Sequence, residues 1–202
     1  MNQKTWTHGK VRRLVTLALL TAIVVVLQLF GSFLTIGSTP ISLTLVPIVI
    51  GAILLGPGAG AILGAAFGVV TFCVGLSGRD WFTAMLISVS PFWSVSINLT
   101  KGICAGAGAG WIAKAFRKRR TVGCILASLA APILNTGVFV LHMVTVLRPG
   151  LENFAGSVGE ANAMHALFFV LIGVNFLIEM AVNAVLSAGI ARVAEAVRKT
   201  VE

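Results

Sequence analysis

The chain has 202 residues, 57% hydrophobic and only 10% charged, with a mean hydropathy of +1.00. Soluble domains run at roughly 45–50% apolar and about 25% charged, so this composition excludes a soluble globular domain and specifies an integral membrane protein. The formal net charge of +9 does not indicate a nucleic-acid surface, because twelve of the fifteen basic residues lie in three short segments beside apolar runs, the pattern that orients membrane proteins.

The first basic segment, Lys4, Lys10, Arg12 and Arg13, precedes the apolar run Leu14–Phe30. The run is long for a signal peptide and no small-x-small cleavage site follows, so it reads as a retained first span over 12–33. An outer loop is expected at 31–40. A second, short apolar run covers 41–55 with Pro47 inside it. A helix this short must be kinked, or must lie where the bilayer is thinned or covered by protein. Gly56–Pro57–Gly58 is a tight turn, and 59–76 is the third span. An outer loop is expected at 77–90, where Trp81–Val89 reads either as a loop helix or as the start of the next span. The fourth span runs over 91–116 and ends at Arg117–Arg120. The fifth covers 122–146, a polar loop follows at 148–162, and the sixth span covers 163–197.

The pattern predicts one all-α membrane domain over 1–202, a bundle of six transmembrane helices with both termini cytoplasmic. The second basic cluster, Lys114 with Arg117–Arg120, and the third, Arg192, Arg198 and Lys199, then fall on the same side as the first. Trp81 and Trp93 fall near the outer interface, and Trp6 and Trp111 near the inner one. Gly60, Gly64 and Gly68 form one stripe at four-residue spacing, and Gly102, Gly106 and Gly110 another. Such stripes let helix backbones approach closely, which argues against a wide aqueous pore. Cys73, Cys104 and Cys124 have no metal-ligand spacing and are expected to be packing residues.

Marks of intramembrane enzymes are missing. There is no His-Glu-x-x-His motif, no Gly-x-Ser-x-Gly elbow, no Walker A loop and no second aspartate beside Asp80. His142 and His165 are isolated, and His142 is expected to be packed or hydrogen-bonded. The chain is therefore not read as an enzyme, and no metal or other cofactor is expected to be bound by it.

The polar residues within the spans are few, and an ionisable group at bilayer depth marks a functional site by default. Lys101 lies thirteen residues before Lys114, and Glu179 thirteen before Arg192, each about 20 Å from the cytoplasmic edge at 1.5 Å per residue. Asn98, Asn135 and Asn175 fall at similar heights, in the middle to outer half of a ~30 Å core. Asn183 is deeper. Asn175, Glu179 and Asn183 share one helix stripe. These five groups from the last three spans make a candidate pocket, in which Lys101 offers a charge to an anionic group and the amides both donate and accept. The competing reading is a structural Lys101–Glu179 ion pair with asparagines as interhelical glue. Arg79, and Trp93 by stacking, are further candidates at the outer face.

At this point the chain resembles the substrate-binding subunit, or S component, of energy-coupling factor vitamin transporters. The resemblance is carried by Ala18 and Ala22 at Ala-x-x-x-Ala spacing, by the run 45–60 with its Gly–Pro turn followed by Gly64 and Gly68, by Asn135, Thr136 and Gly137, and by Asn175, Glu179 and Asn183. It implies a vitamin captured near the outer face by helices four to six and the outer loops, in the plasma membrane of a prokaryote. It further implies docking through Ala18 and Ala22 on a transmembrane scaffold subunit, with ATP and Mg used only by two cytoplasmic ATPase partners.

Lys101 and the loop arginines favour a carboxylate or phosphate, which suits pantothenate and also folate. The absence of tyrosine and the scarcity of aromatic residues in the polar band argue against a flat ring such as riboflavin, although Trp81, Phe92 and Trp93 offer stacking faces. The reading from another class is a stand-alone, proton-coupled transporter with Glu179 as the relay. An enzyme or a purely structural scaffold is the third.

Overall fold

The computed structural model describes residues 3–31, 35–36, 39–40 and 43–199. The long elements are α1 (Gln3–Gly31), α3 (Pro57–Leu76), α5 (Pro91–Ala115), α6 (Arg120–Thr145) and a terminal helical run. That run comprises α8 (Ala163–His165), a π-helical segment (Ala166–Ile172) and α9 (Gly173–Lys199). Shorter helices are α2 (Leu45–Leu55), α4 (Trp81–Val89) and α7 (Arg148–Ser157). β1 (Thr35–Ile36) and β2 (Thr39–Pro40) pair antiparallel, Thr35 opposite Pro40 and Ile36 opposite Thr39.

Among the described residues, four helical stretches are long and apolar enough to cross a bilayer: Gly9–Gly31, Pro57–Leu76, Arg120–Thr145 and Ala163–Leu186. Large apolar side chains such as Leu14, Leu19, Phe92, Trp111, Leu177 and Val185 are exposed on the outside of the bundle, a surface suited to hydrocarbon rather than water. α5 has 25 residues, enough to cross at 1.5 Å each, but carries the polar and glycine-rich face of the bundle.

Several boundaries differ from expectation. The first helix begins at Gln3, ahead of the expected span start at 12, so Lys4, Lys10, Arg12 and Arg13 lie on the helix before the apolar run. Arg13 Nη2 donates to the Leu55 carbonyl at 2.9 Å, satisfying an unpaired oxygen at the C-terminal end of α2. The expected loop 31–40 and the start of the run at 41 lie partly outside the described residues, as do the side chains of Trp6, Arg192, Arg198 and Lys199.

In α2, Pro47 sits in the first turn, where its missing N–H removes no helix bond. Its 11 residues are covered by α1, α3, α5, α6 and α9. Gly56 then turns the chain at φ 92°, in the left-handed region that favours glycine, and Pro57 opens α3.

The two glycine stripes pack against each other. A Cβ on Gly64 would overlap the Gly102 carbonyl, one on Gly102 would overlap the Gly64 carbonyl, and Gly60 and Gly106 are related in the same way. Gly68 meets Asn98, and Gly110 meets Pro57. α3 and α5 therefore touch backbone to backbone, as the spacing of small residues predicts.

The loop expected at 148–162 is in part the helix α7. Pro149 fits its first turn, Leu151, Phe154 and Ala155 are buried, and exposed Arg148 and Glu152 pair one turn apart at 3.2 Å. Trp81–Val89 is a separate helix, with Asp80 as its N-cap. Of the cysteines, Cys124 is buried but Cys73 and Cys104 are exposed on the bundle surface, not packed inside it.

Two apolar clusters frame the interior. One joins α4 to α7 and the π segment through Phe82, Leu86, Met143, Leu147, Phe154 and Leu167. The other joins α1, α2, α3 and α5 through Leu20, Val24, Ile48, Leu63 and Phe67.

Candidate functional site

Between these clusters lies a cavity of about 840 Å³, its open mouth included. Phe82, Leu86, Ile97 and Leu171 contribute from one cluster and Phe67 from the other. Five residues singled out by depth along the spans line it together: Asn98, Lys101, Asn135, Asn175 and Glu179. Arg79 and Trp93 are not in its lining. Arg79 is exposed at the end of the turn before α4, and Trp93 is 37% exposed with its ring edge-on to Phe92.

Lys101 projects from the middle of α5. Its Nζ lies 5.5 Å from the Phe67 ring centroid and 5.7 Å from that of Phe139. Glu179 is buried on α9, and Asp80 and Glu179 are the carboxylates whose charge Lys101 feels. No ion pair joins Lys101 to Glu179; among the described residues Arg148 pairs with Glu152 and His165 with Glu160, both away from the cavity lining. The ammonium is thus buried against two aromatic faces. Cation–π attraction of about 0.5–2 kcal/mol does not offset the several kcal/mol that burying an ammonium costs. The charges of Asp80 and Glu179 offset part of that cost.

The asparagines point the same way. Asn98 Nδ2 donates to the Ser94 carbonyl at 2.9 Å, which fixes its side chain on α5. The Oδ1 atoms of Asn135 and Asn175 are buried without a hydrogen-bond partner, although both residues line the cavity. A buried acceptor left empty costs about 1–3 kcal/mol. Pro132, one turn before Asn135, and the π segment, just before Asn175, both locally interrupt regular helix geometry next to the site. Asn183 does not line the cavity; its Nδ2 donates to the Glu179 carbonyl at 2.8 Å and its Oδ1 has no partner.

Reading the sequence by span depth missed Gln28, Thr71, Asp80, Thr83 and Thr136, all of which line the cavity. Gln28 was visible as the one amide in the first apolar run. Thr44 Oγ1 donates to Gln28 Oε1 at 2.9 Å, tying the C-terminal end of α1 to the start of α2. Asp80 was visible as the only aspartate, but nothing in the sequence placed it over the spans. The scarcity of aromatic residues expected for the band does not hold, since Phe67, Phe82, Phe139 and Phe176 all line the cavity.

His142 is hydrogen-bonded, as expected. Its Nδ1 lies 3.0 Å from the Val138 carbonyl and its Nε2 lies 3.3 Å from Ser96 Oγ, bridging α6 and α5. Among the described residues no group of three His, Cys, Asp or Glu side chains could hold a metal ion. Ala18 and Ala22 share an exposed face of α1 with Leu19 and Ile23.

No curated protein and no solved structure matches the chain. The ECF transporter substrate-specific component family matches it over residues 12–191. The chain therefore belongs to that family, the membrane-embedded substrate-binding subunits of transporters.

Proposed function

We propose that the chain captures a small water-soluble vitamin or vitamin precursor, best fitted by pantothenate, in the cavity between α3, α5, α6 and α9. The observation that carries this reading is the buried, unpaired Lys101 beside the orphaned Oδ1 atoms of Asn135 and Asn175. Lys101 meets the ligand carboxylate. Amides and threonines meet its amide and hydroxyl groups, and Glu179 accepts from a hydroxyl. The phenylalanines cover its apolar part.

In this reading the bundle crosses a prokaryotic plasma membrane six times, α2 included, with both termini cytoplasmic. It then docks through the α1 face at Ala18 and Ala22 on a transmembrane scaffold subunit. Two ATPase subunits supply the energy, so this chain binds no ATP, Mg or other cofactor. The glycine-tight α3–α5 contact fits a carrier that holds its ligand without a continuous pore.

The test is binding of radiolabelled pantothenate to the purified protein in nanodiscs without ATP. Wild type is expected to bind at one site, and Lys101→Ala or Glu179→Ala to weaken binding at least tenfold. Unchanged binding by both variants would overturn the pocket assignment. The four cavity phenylalanines favour a second reading, a flat-ring vitamin such as riboflavin, and its preferential binding would replace pantothenate. Uptake by vesicles holding this chain alone, abolished in Glu179→Gln, would replace both with a proton-coupled transporter.

A further inference from the structure

The wall that α1 and α3 give the cavity is polar at one level. Leu20, Val24 and Gln28 are buried at i, i+4 and i+8 on α1, and Leu63, Phe67 and Thr71 at the same spacing on α3. α2 runs between these stripes in the opposite sense. A Cβ on Gly51 would meet both Leu20 and Leu63, Ile48 shares a buried cluster with Val24 and Phe67, and Thr44 reaches Gln28. Two apolar layers are thus followed by a layer of Gln28, Thr44 and Thr71, since the rise per residue is the same in each helix. Gln28 and Thr71 line the cavity, and Thr44 stands behind them.

Polar groups cost more to bury than the apolar residues of the layers beside them unless they are hydrogen-bonded. Thr71 Oγ1 donates to the Phe67 carbonyl at 2.9 Å, so its oxygen remains an acceptor. Gln28 Oε1 accepts from Thr44 Oγ1 at 2.9 Å, a bond that spends none of the amide's N–H donors. Thr44 is the N-cap residue of α2, yet its side chain makes no cap bond. Its buried hydroxyl holds the Gln28 amide instead of the first turn of α2. The lining residues from α1 and α3 are Gln28, Phe67 and Thr71, none of them charged. Lys101 lies over the Phe67 ring, and Thr71 is one helical turn further along α3, about 5 Å of rise.

We infer that Gln28 and Thr71 form a second, uncharged recognition subsite of the cavity, and that Thr44 is the residue that positions Gln28 in it. The inference rests on the cavity being the substrate site proposed above. The ligand is then read at two points, by an anionic group at Lys101 and by a neutral group about one helical turn away. That group both accepts and donates, as an amide or a hydroxyl does; Gln28 donates to it and Thr71 accepts from it.

The experiment measures pantothenate binding to the full chain in nanodiscs. Gln28→Leu and Thr71→Val are each expected to weaken it about fivefold to tenfold, the size of one neutral hydrogen bond. Thr21→Val is the control, because Thr21 Oγ1 bonds the Leu17 carbonyl of its own helix at 2.8 Å, as Thr71 bonds Phe67, but lies outside the lining. It is expected to leave affinity unchanged. Thr44→Val is expected to weaken binding about threefold, and Thr44→Ser, which keeps the hydroxyl, to match wild type. Unchanged affinity in Gln28→Leu and Thr71→Val, or an equal loss in Thr21→Val and Thr71→Val, overturns the subsite. Equal affinities of Thr44→Val and Thr44→Ser overturn the positioning role.

Protection from a small charged methanethiosulfonate reads location separately. Gln28→Cys, Thr71→Cys and Asn135→Cys are made in a chain whose native cysteines are replaced by serine, and are modified with and without saturating pantothenate. Protection of all three variants supports the subsite. Protection of Asn135→Cys alone overturns it and leaves the proposed function standing; protection of none overturns both.

Discussion

Lys101 and Glu179 line the same buried cavity without forming an ion pair. Two opposite charges held apart in a protein interior compensate each other's desolvation only in part, which is unfavourable for the empty protein and useful to a ligand that bridges them. Binding and stability are therefore expected to trade against each other at these positions.

Lys101→Met tests that trade directly. An apolar side chain of similar length removes the unpaired ammonium, and exchanges of this kind are neutral or stabilising by about 1–4 kcal/mol. The ligand-free variant is expected to unfold at the same or a higher temperature than wild type, while ligand affinity falls by about 100-fold or more. Thermal unfolding monitored in detergent, paired with titration calorimetry, reads both. A variant that is destabilised and binds normally contradicts the account of the site.

Asn135→Leu and Asn175→Leu each remove a buried oxygen that has no partner. Each is expected to cost about tenfold or more in affinity, about 1.4 kcal/mol, with the ligand-free protein no less stable than wild type. A structural amide would show the reverse, lost stability with affinity intact.

Gly64→Val places a Cβ against the Gly102 carbonyl, and backbone cannot move aside as a flexible side chain does. The expected cost is about 3 kcal/mol or failure to fold, since overpacking alone costs about 1–3 kcal/mol. Gly137→Ala is the control, because a Cβ there meets nothing within 4 Å. It is expected to be neutral or stabilising by about 0.5–1 kcal/mol through helix propensity. Unfolding midpoints of the two variants decide the matter.

The buried Thr44–Gln28 hydrogen bond is expected to show coupling in a double-mutant cycle. Thr44→Val or Gln28→Leu alone leaves one polar group stranded, costing about 1–3 kcal/mol, and the double variant should cost less than the sum of the two. Strict additivity would mean the two side chains act independently.

Ala18→Trp fills the exposed α1 face with bulk while touching nothing that lines the cavity. It is expected to abolish co-purification with the scaffold and ATPase subunits and to leave ligand binding unchanged. Normal assembly would remove Ala18 from the docking surface.

Much of the architecture is written in periodicity. Runs of about 20 apolar residues set the long helices, because a bilayer core leaves the backbone no hydrogen-bond partners outside its own helix. Four-residue glycine spacing set which faces of α3 and α5 meet, because only a face without side chains admits another backbone so closely. Depth counted at 1.5 Å per residue brought Asn98, Lys101, Asn135, Asn175 and Glu179 to one level, since rise along a helix is fixed. Rotation about each helix axis and contact between distant segments are not fixed by spacing. Only the tertiary structure decided that Asp80, from a loop outside the spans, and Gln28, from the first helix, share the cavity wall. It alone turned Asn183 away from that wall, held Lys101 and Glu179 apart and set Phe67 and Phe139 around the ammonium. The π segment that precedes Asn175 and the fold of 148–157 into α7 depend likewise on packing against partners far along the chain, which no local pattern encodes.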